Sequence, residues 1–514
     1  MSSQYILAID QGTSGTKAVV FDSGGQVIAK AIEPLTSYYP RLGFVEQDPV
    51  EIYSNVLAAV GSCLKEFSDT TAADLDAIVT CGISNQRETF VLWDESGEPL
   101  CNAVVWQCKR SVDICERLKG TELEDEIKQR TGLIIDPYFS GTKLLWLCEN
   151  NPELAEAIRN GKAFFGTVDT WLLHRLTGGR SYLTDHTNAS RTLMFNIDRL
   201  EWDTYLLDEY GLAKLRLPQV RPSSFEYGRT DFGGLLPRAI TVSAMIGDSH
   251  AAAFGERCFS PGTAKATMGT GCSILLNTGS KRVVSEAGMV TTICWSIGNR
   301  VDYALEGIIV TCGATINWLR DNMGLFSDSR ETEDMAFSIK DNAGVYLVPA
   351  FSGLGAPHWK MDCRAAITGM TLGCDKKHVV RAALESIPYQ IKDVILAMEN
   401  ESGVSLQKLK VDGGITANRF VMHFLADLLG TDITNIGIPD VSALGAASLA
   451  GLQAGIFEDA DHLNRLATNE RVCSPGPDAQ AAQRSYGGWQ QAIQQITMRT
   501  PQQLPQGGPD ERHD

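Results

Sequence analysis

No stretch of this 514-residue chain reaches the roughly 18 apolar residues that a membrane span needs. The thirteen cysteines contain no C-x-x-C pair and do not cluster with the eight histidines, so the chain offers no pattern for a zinc site. Positive charge is scarce: 45 lysines and arginines face 62 aspartates and glutamates, a formal net charge of −17. An acidic surface repels phosphate backbones and anionic lipid, which argues against nucleic acid and membrane as partners. Basic residues are also missing ahead of the first apolar run, so MSSQYILAID reads as a first strand rather than a signal peptide. Without an export signal the thiols are expected to be reduced and mostly buried, in a cytoplasmic protein. What remains, 44% hydrophobic and 21% charged residues, is ordinary for a globular chain with room for two or three domains.

Two short glycine-threonine turns carry the strongest signal. Asp10-Gln11-Gly12-Thr13-Ser14-Gly15-Thr16 lies between the apolar runs YILAI and AVVF, and Gly269-Thr270-Gly271 lies between Ala264–Met268 and Ser273–Leu276. Glycines let the backbone approach a ligand, and threonine hydroxyls and backbone N–H groups suit phosphate oxygens. Two such turns half a chain apart predict a duplicated fold clamping one nucleotide. Helical spacing is expected over Pro49–Phe67, Asn418–Leu429 and Ser442–Gly455, and strands over Ala77–Ser84 and Leu409–Gly414. Strands broken by helices make the chain α/β, and a repeated strand–turn–strand suits two actin-like (ribonuclease H-like) ATPase domains with the site in the interdomain cleft. The expected division is 1–256, carrying the substrate side and first turn, 257–498, carrying the second turn and adenosine side, and a disordered tail over 499–514.

Several residues combine into a candidate site, each with a plainer reading beside it. Asp10 ends a strand at the first turn; it caps that turn or positions a phosphate-bound Mg²⁺. Lys17 is a cation for the same phosphates or a surface lysine. Arg87 and Glu88 follow a strand end, where a guanidinium fork and a carboxylate suit a polyol or form a surface ion pair. Trp106 and Tyr138 belong to the core or wall a ligand's CH faces. Asp248, in MIGDSHAAAFGE, caps a helix or takes the proton of an attacking hydroxyl, with His250 a competing base.

Together and in this order, DQGTSGTKAVVFD, ISNQRETFVLWD, NAVVWQCKR, IDPYFSGTK, IGDSHAAAFGE, MGTGCSILLNTG and VDGGITANRF resemble the FGGY carbohydrate kinases, the glycerol-phosphorylating members most closely. The resemblance implies ATP and Mg²⁺, phosphorylation of a primary hydroxyl, and a homodimer or homotetramer. It implies Asp10 as the metal-associated carboxylate, and Thr13, Ser14 and Lys17 on the phosphates. It further implies Arg87, Glu88, Trp106, Tyr138 and Asp248 around the polyol, with Asp248 the base, and Thr270, Gly313, Asn317, Gly414 and Asn418 on the nucleotide. Lys17 and Asn317 replace an arginine and a glutamine usual in those relatives. Ser249 and Ser273 stand where they carry a glutamine and a phenylalanine, so erythritol, a pentitol or xylulose competes with glycerol as substrate. An actin-like ATPase switch is the alternative from another class. The loop TDFGGLLPR lacks the fuller pattern linked to sugar-bisphosphate control in some relatives.

Overall fold

The structure, a computed structural model, describes residues 4–498 apart from 361, 439, 467 and 468. The tail expected over 499–514 lies outside the described residues. Chain order begins with β1 (Tyr5–Gln11), β2 (Gly15–Asp22), β3 (Val27–Pro34), α1 (Pro49–Thr70), β4 (Ile78–Asn85), α2 (Ser140–Asn150), β5 (Ser224–Thr230), β6 (Ile240–Gly247) and α3 (Asp248–Gly255). It continues with β7 (Thr263–Met268), β8 (Cys272–Gly279), β9 (Val290–Ile297), β10 (Arg300–Ile309), α4 (Gly313–Asp321), β11 (Lys408–Asp412), α5 (Arg419–Leu429), β12 (Ile433–Asn435), α6 (Val441–Gln453) and β13 (Arg471–Cys473). The expected helices and strands are present with ends shifted by a few residues; Asn418 is the N-cap of α5, accepting from the Val421 N–H, rather than its first residue.

All thirteen strands form one sheet, and its two halves repeat one design. In the first half β1, β2 and β3 are successive antiparallel neighbours, and β4 then β6 add in parallel on the other side of β1. In the second half β7, β8 and β10 are antiparallel neighbours, with β11 then β12 parallel beyond β7. Third, second, first, fourth, fifth is therefore the strand order in both halves, and β5 and β9 join them through the pair Ser224–Ile297. Strands flanked on both faces must be apolar throughout, which is why β1, β4 and β6 read as near-continuous hydrophobic runs.

Helix packing explains the alanine- and glycine-rich stretch near the end. α6 lies against α3, and a Cβ on Gly445 would stand 1.8 Å from the Ala251 carbonyl oxygen. Only a residue without a side chain permits that approach. Beyond the central sheet, strands Glu46–Gln47, Ala103–Val104, Phe90–Trp93 and Phe164–Thr167 build a small second sheet. It packs with α2, and the partly buried Trp106 and Tyr138 lie against the cluster the two form.

Candidate active site

Parallel neighbours end at the same level, so their carboxyl ends make a shared rim. Asp10 is paired with Ser84 and Gly247 with Asn85 across β1, β4 and β6, which sets Asp10, the segment after Asn85 and Asp248 side by side. In the second half Thr267 on β7 is paired with Asp412 on β11, with Gly413 just beyond. A cleft of about 390 Å³ opens between these rims. Asp10, Thr13, Lys17, Arg87, Glu88, Trp106, Tyr138, Asp248, Ser249 and Ser273 all line it, opposite Lys265, Thr267, Asp412 and Gly413.

Arg87 and Glu88 are buried, 5% and 1% exposed, which removes the surface-pair reading. Arg87 donates to both oxygens of Glu306 on β10, Nη2 to Oε1 at 2.8 Å and Nη1 to Oε2 at 3.3 Å, and its Nε lies 3.3 Å from Asp248 Oδ1. Fully buried Arg191 donates from Nε to Glu88 Oε1 at 2.6 Å, and its Nη1 lies 2.8 Å from Glu306 Oε2. Charges therefore alternate along Glu88, Arg191, Glu306, Arg87 and Asp248. Burial would raise the Glu306 pKa, but Arg191 and Arg87 outweigh it and hold the carboxyl below its usual range. Burial raises the Glu88 pKa, with Arg191 and Arg87 opposing. Glu88 also has a φ of 61°, a left-handed backbone that a glutamate adopts only under constraint from its surroundings. Burial pushes Asp10 up to about 6, with Lys17 opposing and Asp248 adding to the rise. Its Oδ1 accepts from Ser84 Oγ at 3.1 Å, and Lys17 sits between it and Asp440, at 3.6 and 3.2 Å.

The aromatic pair forms one wall. Trp106 and Tyr138 meet edge to face with centroids 5.3 Å apart, and Trp106 Nε1 donates to Thr13 Oγ1 at 2.8 Å, tying the wall to the first turn. Burial raises the Tyr138 phenol pKa far above its ordinary value. On the opposite side Ser249 Oγ and Ser273 Oγ are 3.4 Å apart, and Ser273 donates to Glu306 Oε1 at 3.3 Å. His250 does not line the cleft: it is fully buried, with Nε2 3.2 Å from Thr292 Oγ1, so it is no competitor to Asp248 there.

Thr270, Gly313 and Gly414 gather around the second turn, outside the lining of that cleft. The Gly313 and Ala314 N–H groups donate to the carbonyls of Gly269 and Thr270, seating the start of α4 on the turn. Gly413, at φ +92°, lies against the Met268 backbone, where a Cβ would be 2.4 Å from the carbonyl oxygen. Asn317 and Ser14 are exposed on α4 and the first turn, while Asn418 caps α5 and donates to Thr332 Oγ1 at 3.1 Å.

Contributors not singled out from sequence include Arg191, Glu306, Lys143, Lys265, Thr267, Asp412 and Asp440. Lys265 had a signal, being the lone charge in an apolar strand, and Glu306 had one as a charge set between Ala304-Leu305 and Gly307-Ile308 in β10. Arg191 in SRTLMF had none. The donors around Asp10, Asp248, Asp412, Asp440, Thr13 and Thr267 are all oxygen, which fits a hard divalent cation. Among the described residues no group of three His, Cys, Asp or Glu side chains converges on one point, so such an ion would share its ligands with phosphate and water.

The comparisons with known proteins agree along almost the whole chain. The N-terminal domain model of the FGGY family of carbohydrate kinases matches residues 5–255, and the C-terminal domain model matches 264–454. The chain is 45% identical over 494 residues to a glycerol kinase of Carboxydothermus hydrogenoformans, covering 96% of this chain and 98% of that one. A glycerol kinase of Symbiobacterium thermophilum is 46% identical over 495 residues, with the same coverage of 96% and 98%. The crystal structure of Plasmodium falciparum glycerol kinase with ADP superposes with a TM-score of 0.91 at 34% identity, covering 97% of this chain and 99% of that one. The repeated half-sheet, the cleft between its two rims and these matches lead to one statement: the chain belongs to the FGGY family of carbohydrate kinases.

Proposed function

We propose that the chain transfers the γ-phosphoryl group of ATP to a primary hydroxyl of a small polyol, with glycerol giving glycerol 3-phosphate as the first choice. The observation that carries this reading is the sharing of one cleft by Thr13 of the first turn, the strand residues Thr267 and Ser273 of the second hairpin, the buried Arg87 and Glu88, an aromatic wall and the Asp248 carboxylate. Glycerol kinases among the relatives, and the bound ADP of the Plasmodium falciparum structure, support substrate and donor. The chain is read as a cytoplasmic homodimer or homotetramer.

In this reading Glu88 and Arg87 take the polyol hydroxyls while Trp106 and Tyr138 cover its carbon chain. Asp248 accepts the proton of the attacking hydroxyl as the new O–P bond forms and the bond to the departing ADP breaks. Thr13, Ser14 and Lys17 on the first rim, and Thr270, Gly313, Asn317, Gly414 and Asn418 around the second, hold the nucleotide. Asp10 is the residue that would hold Mg²⁺, which would supply neutralisation of charge on the phosphate oxygens. Closure of the cleft keeps water from the phosphoryl group.

One observation favours a longer substrate. The Ser249–Ser273 hydroxyl pair, backed by Glu306, lines the cleft where a longer polyol would present a further hydroxyl. ADP release measured with glycerol, erythritol, the pentitols and xylulose tests both readings. Glycerol is expected to stimulate it; a higher kcat/KM with a four- or five-carbon polyol makes that the substrate, and no response to any of them favours an ATPase switch. Asp248→Asn is expected to lose about 10²–10⁴-fold in turnover with ATP binding retained; near-normal turnover removes Asp248 as base.

A further inference from the structure

Arg87 and Glu88 belong to the first half of the molecule, yet neither is positioned by it alone. Each terminal nitrogen of Arg87 directs one N–H to Glu306, a residue of β10 in the second half, in a two-pronged contact that fixes the guanidinium plane and keeps a second N–H on each for a ligand. That leaves Nε toward Asp248 Oδ1, at 3.3 Å. The Glu306 carboxylate also lies 2.8 Å from Arg191 Nη1, and Arg191 in turn occupies Oε1 of Glu88. Glu88 Oε2 has no protein partner among the described residues and is left to face a ligand. Glu306 is fully buried, β10 is otherwise apolar around it, and Ser273 supplies a further hydrogen bond at 3.3 Å.

We infer that Glu306 is a positioning residue for the polyol: one carboxylate from the second half orients, directly through Arg87 and indirectly through Arg191 to Glu88, the groups with which the first half grips the substrate. This rests on the proposed polyol-kinase reading. Two consequences follow from the connectivity. The substrate grip is complete only while the two halves hold the buried Arg87–Glu306 ion pair, so polyol affinity is linked to their relative position. Among the described residues the Glu306 side chain makes no hydrogen bond to Thr13, Lys17, Thr270, Gly313 or Asn418, so the nucleotide side is expected to respond less to its loss.

The test is steady-state kinetics of Glu306→Gln, which keeps the shape and removes the charge. The wild-type response to glycerol is measured first; its absence with every polyol overturns the kinase reading, not this one. With the wild type active, E306Q is expected to raise the polyol KM about tenfold or more and lower kcat, with the ATP KM changed less than about twofold. E306D, which keeps the charge on a shorter arm, is expected between the two. In the double variant E306Q/R87K, the loss in kcat/KM is expected to be smaller than the product of the two single losses, because part of the effect of Glu306 runs through Arg87. Full additivity, an unchanged polyol KM, or equal rises in both KM values overturns the inference. Should E306Q fail to fold, E306D is read by the same split, and equal shifts in its two KM values overturn the inference as well.

Discussion

Lys143 holds a wall in place from behind. Its side chain is fully buried in α2, and Nζ donates to the carbonyls of Tyr138, Pro137 and Trp106 at 2.6, 3.0 and 3.4 Å. Burial pushes its pKa down to about 7, with Glu88 opposing. Backbone carbonyls in an apolar setting are costly without a donor. Lys143→Met is therefore expected to lose about 2–4 kcal/mol in urea unfolding, the range for a buried polar network broken on one side. The polyol KM should rise as Trp106 and Tyr138 loosen, whereas a stability loss with unchanged KM would separate Lys143 from the site.

At the level of elements, the contact between α3 and α6 sets where Asp248 sits. Asp248 is the first residue of α3, and Ser442 at the start of α6 donates to its carbonyl oxygen at 3.1 Å. The helices approach so closely that Gly255 meets the Val441 carbonyl and Gly445 meets that of Ala251. Gly445→Ala must separate them, and overpacking of this kind is expected to cost about 1–3 kcal/mol. Turnover should fall with it, since the base moves with its helix. Gly487, in the helix Ala479–Thr497, has nothing within 4 Å of its would-be Cβ. Gly487→Ala is expected to leave turnover unchanged and raise stability by about 0.5–1 kcal/mol through helix propensity. Thermal melts of the two variants side by side check the contrast.

Across the whole molecule the junction of the halves carries a titrating group. His186 of the first half is buried, with Nδ1 2.8 Å from Ser296 Oγ on β9 of the second. Burial pushes its pKa down to about 4, and Arg221 adds to the shift. The unfolded chain, near the ordinary 6.5, thus takes up the proton first. Stability contributed at this site is full above pH 6.5, falls as pH drops toward 4, and changes no further below. His186→Asn lacks this dependence, so its melting temperature relative to wild type is expected to rise between pH 7.5 and 4.5. A gap independent of pH would mean that His186 keeps an ordinary pKa in the folded chain.

Sequence by itself determined the α/β class, the two glycine-threonine turns and the family resemblance, because strand periodicity, glycine freedom and motif order are local properties of the chain. It also pointed to Asp10, Arg87, Glu88, Trp106, Tyr138 and Asp248 as one group, which the folded chain gathers in one cleft. Tertiary structure decided the rest. Whether Arg87 and Glu88 were a solvated pair or a buried one, whether His250 reached the cleft, and what anchored them were legible only after folding. Arg191 and Glu306 lie far from Arg87 in sequence, and a charge's partners and dielectric surroundings depend on which distant segments pack around it. Local pattern encodes where the backbone turns; only the packed chain sets which charges meet without water.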